Sequence, residues 1–464
     1  MSPPATVDGY VADSLYPSNF HPHFQPAWTQ AMLVARGVAP PTRDRAPFTF
    51  VDLGCGDGVG LIVTAAAHPE GRFFGIDALP GHIDRGRALI AELGLSNIEL
   101  HCATFQGAVA GDGDIARVPL EKADSLLPVG EVDYVMAQGV LSWVSPQNQH
   151  ALLTLAARLL RPGGVFSVGY NSLPGWGWIV PFQRLVRALS ESMAGTPAER
   201  FEAARDVARS SGLVDPKVFE WFDERLHLLP RDYFAHEYLN AHWQPHWSAD
   251  VVRAAGELGL AHAADGLTLC LREDFALKAA WRQTLETITD PLARMLAVDM
   301  WVERWYRVDL FAKGAVQHLD PAAARADRLA RHWATGTTAY DVSFELKTPA
   351  GTIRFANDAA RAILHALQDG PRPLSAVPGI AEADLLNTID AMWMADYVRP
   401  VLPPLDPPHG ARANAWLFGT AQDESPMNGV VSRHGGVAVP RKALAAGLSA
   451  DSCRRLAIVT PERQ

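Results

Sequence analysis

VDLGCGDGVG, residues 51–60, is the stretch that decides the fold of this 464-residue chain. A run with the composition of a buried strand ends at Leu53, and three glycines follow at alternating positions before a helical pattern begins. Glycine lets the backbone turn tightly and approach a ligand that a Cβ atom would block. The helix N-terminus behind the glycines offers free N–H groups and a partial positive charge. The candidate ligand-binding residues of this turn are Asp52, Gly54, Gly56 and Gly58.

A second carboxylate strengthens this interpretation. Asp77 ends the next strand-like run, GRFFGIDA, and a carboxylate at that position accepts hydrogen bonds from ribose hydroxyls in doubly wound nucleotide-binding folds. A glycine-rich turn alone could be a tight connection without a ligand, but its combination with Asp52 and Asp77 favours a nucleotide-like ligand. The G-x-G-x-G spacing differs from the G-x-G-x-x-G of dinucleotide binders and disfavours hydride transfer.

Strand and helix patterns alternate from Phe48 to Trp178, which predicts βαβ units and a parallel sheet covered on both faces. Two later runs, LAHAADG and WYRVDLFAKG, are predicted to complete the same sheet. The fold class is therefore α/β, a doubly wound Rossmann-like sheet with a helical insert and a C-terminal winged-helix-like domain. The predicted parts are an N-terminal segment 1–47 that caps substrate and cofactor, a ligand-binding core 48–179, a helical insert 180–256, a completion of the sheet 257–315, a winged-helix-like unit 341–404 and a C-terminal segment 405–464 without an assigned role.

Composition excludes several classes of protein. The hydrophobic content of 48% and charged content of 20% are those of a globular protein. A net charge of −10 argues against binding nucleic acid, which requires an excess of Lys and Arg. The four cysteines lie far apart, so neither a disulfide framework nor a zinc cluster is expected. With no signal-peptide pattern and no membrane-spanning apolar run, we expect a cytoplasmic protein without membrane insertion.

The segment VDLGCGDG followed by GID resembles the cofactor site of class I S-adenosylmethionine (SAM)-dependent methyltransferases, and this resemblance covers about residues 48–170. It implies SAM as cofactor and S-adenosylhomocysteine as product, without a metal. It also implies that the glycine loop wraps the methionine part and that Asp77 holds the ribose. The turn CATF, with Thr104, would flank the adenine, and the loop AQGVLSWVSP, with Gln138, would face the transferred methyl group.

A second resemblance concerns the acceptor. HPHF, QGVLSWV, YNSLPGW and HEYLNAHWQPHW together resemble bacterial methyltransferases with a regulatory domain, over about residues 10–404. The characterised branch of that family methylates lysine ε-amines of outer-membrane proteins. The resemblance implies methyl transfer to a lysine of a protein or peptide, by in-line attack of the neutral amine. The alternatives are a small-molecule N- or O-methyltransferase of a biosynthetic pathway and a non-catalytic binding protein. The oligomeric state is left open.

The acceptor site is predicted near YNSLPGW, because this segment follows the fifth strand at the edge that carries the cofactor loops. Its tryptophans could instead be core aromatics. HEYLNAH lacks the second histidine of a zinc motif, since Asn240 stands there, and is interpreted as a hydrogen-bonding cluster or a lid. The candidate catalytic residues are Tyr170, Asn171 and Trp143. The candidate substrate-binding residues are Tyr16, Leu141, Trp176, His236 and Glu237.

Overall fold

A computed structural model of the chain describes residues 6–7, 10–11, 19–110, 127–225, 231–337, 342–420, 429–439, 444 and 448–460. The elements of its first half are β1 Thr6–Val7, β2 Tyr10–Val11, α1 Pro26–Ala35, β3 Phe48–Leu53, α2 Val59–Ala67, β4 Gly71–Asp77, α3 Pro80–Leu93, β5 Ile98–Cys102, α4 Phe105–Ala110, β6 Val132–Gln138, α5 Pro146–Leu159 and β7 Leu160–Asn171. The insert and the end of the sheet contain α6 Val180–Ser190, α7 Pro197–Ser211, α8 Pro216–Asp223, α9 Arg231–Tyr238, α10 Ser248–Glu257, β8 Leu260–Asp265, α11 Glu273–Ala276, α12 Ala279–Thr287, α13 Pro291–Trp301 and β9 Tyr306–Lys313. The C-terminal part contains α14 Pro321–Ala330, β10 His332–Ala334, β11 Glu345–Thr348, β12 Gly351–Arg354, α15 Asp358–Ala366, β13 Arg372–Pro373, α16 Glu382–Met394, β14 Arg399–Val401, α17 Gly410–Thr420, β15 Gly429–Ser432, β16 Gly435–Ala438 and α18 Ala450–Arg455.

Seven strands form the central sheet, in the order β5-β4-β3-β6-β7-β9-β8. The first five run parallel, whereas β9 lies antiparallel between β7 and β8. This confirms the predicted α/β sheet, including the two late runs that become β8 and β9. The strands β4 and β5 are added on one side of β3, and β6 and β7 on the other. Ligands bind at such a switch point in open α/β sheets.

The sheet is buried on both faces. Neighbouring residues of a strand point to opposite sides of the sheet, so each strand contributes residues to two core clusters. Phe50 and Phe73 belong to a core cluster that also contains the apolar residues of α1 and α2. Val51 and Phe74 belong to a second cluster on the other face, which contains those of α5. The doubly wound arrangement therefore leaves the strand ends as the accessible edge of the sheet.

The helical insert has its own aromatic core. Phe182, Phe201, Phe222 and Tyr238 are buried together, with ring centroids 4.8–6.1 Å apart. Trp143, from the loop after β6, joins the same cluster. The insert thus packs directly against the strand end at which a ligand is expected.

The C-terminal part contains a three-stranded sheet of order β13-β10-β14, the hairpin β11–β12, and helices α15 and α16. The winged-helix assignment for 341–404 stays a prediction. Beyond it, α17 and the hairpin β15–β16 pack on α2, the helix behind the glycine loop. Among the residues that the structure describes, no helix combines the length and the apolarity needed to cross a membrane.

Candidate active site

A cavity of about 260 Å³ lies at the carboxyl ends of β3, β4 and β6. Other segments also line it: residues 19–25, the first turns of α2 and α3, residues 103–105 after β5, the loop after β6 with Asn148 of α5, and Glu237 at the end of α9. Of the predicted site residues, the cavity lining contains Asp52, Gly54, Gly56, Asp77, Thr104, Gln138, Trp143 and Glu237. The structure therefore brings together most of the predicted cofactor residues and two of those predicted for the acceptor.

The glycine loop has the conformation that its sequence suggests. Gly54, Gly56 and Gly58 have φ angles of +87°, +59° and +72°, a region that side chains with a Cβ atom rarely adopt. A Cβ atom on Gly54 would collide with Val140, whereas one on Gly56 would meet no protein atom within 4 Å. Gly56 thus leaves open space for a ligand. Gly58 is the N-cap residue of α2 and is not part of the cavity lining.

Asp77 ties the two cofactor loops together. Its Oδ2 accepts a hydrogen bond from the Gly56 amide at 3.0 Å, and its Oδ1 accepts one from the Leu79 amide at 2.9 Å. A carboxylate oxygen can accept further hydrogen bonds, so Asp77 can also bind a ligand hydroxyl. This position suits the ribose of SAM.

Asp52 lies at the back of the cavity and is 5% exposed. Burial, and to a lesser extent the charge of Asp77, raise the pKa of Asp52 well above its usual value. The positive charge of a ligand in the cavity would stabilise the ionised form of Asp52 and so lower its pKa.

Thr104 and Gln138 contribute polar groups from the next strand ends. The Thr104 Oγ1 accepts a hydrogen bond from the Gly107 amide at 3.0 Å and caps α4. The Tyr306 hydroxyl donates to Oε1 of Gln138, so the amide NH₂ is the donor end that Gln138 can offer to a ligand. The residues present therefore fit an adenosine-containing cofactor.

Four predicted acceptor residues lie elsewhere. Tyr170, Asn171, Leu141 and Trp176 are absent from the cavity lining among the described residues. Tyr170 is fully buried, and its hydroxyl donates a hydrogen bond to Asp309. Burial, followed by the charge of Asp309, raises the pKa of Tyr170 well above its usual value. The structure thus corrects the position predicted for this tyrosine, because its side chain points into the core and not toward the ligand.

The segment after Tyr170 is a rigid turn. The Ser172 amide donates to the Trp305 carbonyl at 2.9 Å, and the Leu173 amide donates to the His246 carbonyl at 2.9 Å. The Asn171 carbonyl accepts from the His246 amide at 2.9 Å, while Leu141 is buried in the sheet core. The turn lies at the predicted sheet edge, but its backbone is held by distant segments of the chain and does not border the cavity.

Tyr170→Phe is expected to act on stability and not on turnover. Loss of the hydrogen bond to Asp309 should lower the free energy of unfolding by about 1–2 kcal/mol, while kcat and the affinity for S-adenosylhomocysteine stay within about twofold. Denaturant unfolding, steady-state kinetics and calorimetry measure these three quantities. A tenfold or larger loss of kcat at unchanged stability would instead support a catalytic tyrosine.

Trp176 belongs to a cluster of tryptophans. Its ring centroid lies 5.9 Å from that of Trp243 and 5.8 Å from that of Trp305. Trp243 in turn lies 6.2 Å from Trp143, which lines the cavity. Trp176 is thus half-buried and packs against the core of the helical insert, and its cluster reaches the cavity through Trp143. Tyr16 and the side chain of His236 lie outside the part of the chain that the structure describes.

Seven residues with polar or charged side chains line the cavity without having been predicted: Asn19, His21, Gln25, Asp57, Thr64, His82 and Asn148. Gln25 is anchored by a 3.0 Å hydrogen bond from its amide to the Thr64 hydroxyl on α2. Burial, and then the charge of His23, lower the pKa of His21 to about 4, so its imidazole is neutral at pH 7. The histidines in HPHF were a signal in the sequence, but nothing local indicated which one faces the ligand.

Among the described residues, no group of three His, Cys, Asp or Glu side chains is arranged to hold a metal ion.

Comparisons with known proteins match two parts of the chain to domain families. A family model described as "Methyltransferase domain" matches residues 50–164, and one described as "Predicted methyltransferase regulatory domain" matches residues 230–313. An uncharacterized protein of Synechocystis is 24% identical over 412 residues, which cover 85% of this chain and 77% of that protein. The trans-aconitate 2-methyltransferase of Methylobacterium radiotolerans is 29% identical over 147 residues, which cover 32% of this chain and 45% of that protein.

Solved structures of one protein match nearly the whole chain. PKMT2 from Rickettsia typhi, in complex with AdoHcy, has a TM-score of 0.67 and 18% sequence identity, and the match covers 93% of this chain and 87% of that chain. It shares the fold and holds the demethylated form of SAM. With both matched domains and the geometry of the glycine loop, the chain is identified as a class I SAM-dependent methyltransferase that carries a methyltransferase regulatory domain.

Proposed function

We propose that this enzyme transfers a methyl group from SAM to the ε-amine of a lysine in a protein or peptide. The proposal is supported by the charge of the cavity. Its lining includes the carboxylates of Asp57, Asp77 and Glu237, beside the Asp52 carboxyl group with its raised pKa, and none of the described lining residues is a lysine or an arginine. A cationic lysine side chain is attracted by this potential, whereas an anionic acceptor is repelled.

The charge also disfavours one small-molecule alternative. The relative from Methylobacterium is named for trans-aconitate, a carboxylate, and it matches only 147 residues of this chain. Recognition of carboxylates generally uses arginine or lysine. The acidic cavity lining is therefore better suited to an amine than to a carboxylate acceptor.

Trp143 and Glu237 are the side chains that we assign to the amine. SAM, when bound, supplies a methyl group on a positively charged sulfur. The aromatic face of Trp143 excludes water and so favours the neutral amine, whose lone pair is needed for attack. It also attracts the methylammonium product by a cation–π contact, worth roughly 0.5–2 kcal/mol. The Glu237 carboxylate can accept a hydrogen bond from the amine and align it with the methyl group.

A protein acceptor needs a surface beside the cavity, and the tryptophan cluster offers one. The contacts run from Trp143 through Trp243 and Trp176 to Trp305, which is 58% exposed. Trp178, 46% exposed, joins the cluster through Trp221, whose ring centroid lies 6.1 Å from that of Trp178 and 6.3 Å from that of Trp176. Exposed apolar side chains beside a site are typical of protein-binding surfaces, and these would contact the residues flanking the lysine.

A transfer assay tests the proposal. The purified protein is incubated with SAM that carries a labelled methyl group and with extract of its source organism, and the protein and small-molecule fractions are counted separately. Label recovered as methyl-lysine after hydrolysis of the protein fraction supports it. Label found only in small molecules contradicts it and favours a biosynthetic acceptor.

Glu237→Gln is expected to lower kcat/KM for the acceptor by about tenfold to a hundredfold, because the amide no longer offers a charged acceptor. The affinity for S-adenosylhomocysteine should stay within about twofold in calorimetry. Glu220→Gln, on the exposed surface of α8, is the matched control and should change neither quantity. If Glu237→Gln keeps full kcat/KM, Glu237 does not bind the acceptor.

A further inference from the structure

The cavity contains a histidine whose polar atoms are unused. His82 is the third residue of α3, five positions after Asp77, and is 3% exposed. Its Nδ1 lies 3.4 Å from Oδ1 of Asp77, but neither ring nitrogen has a hydrogen-bond partner among the described residues. The imidazole is therefore buried at the cavity wall without a bond that would compensate for the loss of water.

Two other buried histidines of the chain each have a polar partner at Nδ1. Nδ1 of His68 lies 3.1 Å from the Glu70 carboxylate, and Nδ1 of His434 lies 2.6 Å from the Leu402 carbonyl. Buried polar groups are nearly always bonded in this way, because an unpaired one costs free energy. At His82 the missing partner is on the side of the cavity, which points to a ligand atom.

We propose that His82 is a second ribose-binding residue, which hydrogen bonds the hydroxyl adjacent to the one that Asp77 binds. The two hydroxyls of a ribose are on neighbouring carbons. A ribose held by the Asp77 carboxylate therefore presents its second hydroxyl beside a ring nitrogen only 3.4 Å from that carboxylate. A neutral imidazole can donate with one nitrogen and accept with the other, so either hydroxyl orientation is served. The inference concerns the cofactor and holds for any methyl acceptor.

The test is calorimetry with three probes: S-adenosylhomocysteine and its 2′-deoxy and 3′-deoxy analogues. His82→Leu is expected to weaken binding of the parent compound about tenfold, the effect of one lost hydrogen bond of about 1.4 kcal/mol. His82→Leu should not change the affinity for the one analogue that lacks the hydroxyl bound by His82. It should lower the affinity for the other analogue by the same factor as for the parent compound. His82→Gln, which keeps an amide in place of the ring nitrogens, should retain binding of the parent within about threefold.

A purely structural role would give a different pattern. If His82→Leu weakens all three probes equally, or none of them, the proposal is overturned. If His82→Leu does not fold, the affinities of His82→Gln for the three probes decide. If His82→Gln binds the parent compound no more tightly than the deoxy analogues, the proposal is overturned. If His82→Gln still binds the parent compound more tightly, the proposal is supported. His101→Phe replaces another buried histidine, on β5 and outside the cavity lining. It should lower thermal stability without changing the ranking of the probes.

Discussion

Asp77→Asn is expected to weaken the binding of S-adenosylhomocysteine about a hundredfold, or about 2.7 kcal/mol. Its carboxylate accepts hydrogen bonds from the Gly56 and Leu79 amides, and a ribose hydroxyl would add a third. Hydrogen bonds to a charged group contribute about 1.5–3 kcal/mol each. Asparagine offers one oxygen in place of two, and its NH₂ group would face an amide N–H that also donates.

Isothermal calorimetry of the two proteins measures this effect directly. Asp84→Asn, on an exposed position of α3, is the control that removes a nearby carboxylate without touching the loops. A change of less than about threefold for Asp77→Asn would remove Asp77 from the ribose site. Melting temperatures of both variants separate a loss of binding from a loss of folding.

Asp77 and Tyr170 show which features of the site can be predicted from the sequence and which cannot. Asp52, Asp77 and the three glycines occupy strand ends and a strand–helix turn, where local sequence alone determines backbone conformation and position. The same reasoning located the turn after Tyr170 at the correct edge of the sheet. It could not determine which way Tyr170 points, because that depends on Asp309, 139 residues further along the chain.

The residues that were not predicted share this dependence on distant segments. His21 and Gln25 reach the cavity because residues 19–25 lie against α2, where Gln25 bonds Thr64. Likewise, the strands that became β8 and β9 were recognisable by composition, but their order, with β9 inserted between β7 and β8, was not. No local sequence pattern indicated that the hairpin β15–β16 packs on α2.

His82 is an intermediate case. Its distance from Asp77 along the chain is short, and the helix that carries it was predicted. Its orientation is set by the first turn of α3, which begins at Pro80. A histidine five residues after Asp77, the aspartate that we predict to bind the ribose, could therefore have been noticed as a candidate in the sequence.

Asp309→Asn is expected to destabilise the β7–β9 pair by about 3–5 kcal/mol, the range measured when one partner of a buried ion pair is removed. Asp309 is fully buried and accepts hydrogen bonds from Arg307 at 2.6 Å and from the Tyr170 hydroxyl, while Nε2 of His262 lies 3.0 Å away. Burial alone would raise the pKa of Asp309, but the charge of Arg307 and the contact with His262 outweigh it and hold the pKa below its usual value. The aspartate is thus ionised, and asparagine would leave Arg307 with less compensating charge.

The network continues beyond this pair, since Arg307 also donates to Asp299 at 2.6 Å and Arg304 donates to Asp265 at 2.8 Å. A chain of this size with several cores does not unfold in one step, so hydrogen exchange of the β7 and β9 amides is the appropriate measurement. Glu382→Gln breaks the exposed pair with Arg325 and should cost less than about 1 kcal/mol. Adding Arg307→Met to Asp309→Asn should recover part of the lost protection, because the uncompensated charge is then removed. Protection of β7 and β9 equal to that of the unmodified protein in Asp309→Asn would show that the buried charges contribute little to holding this end of the sheet.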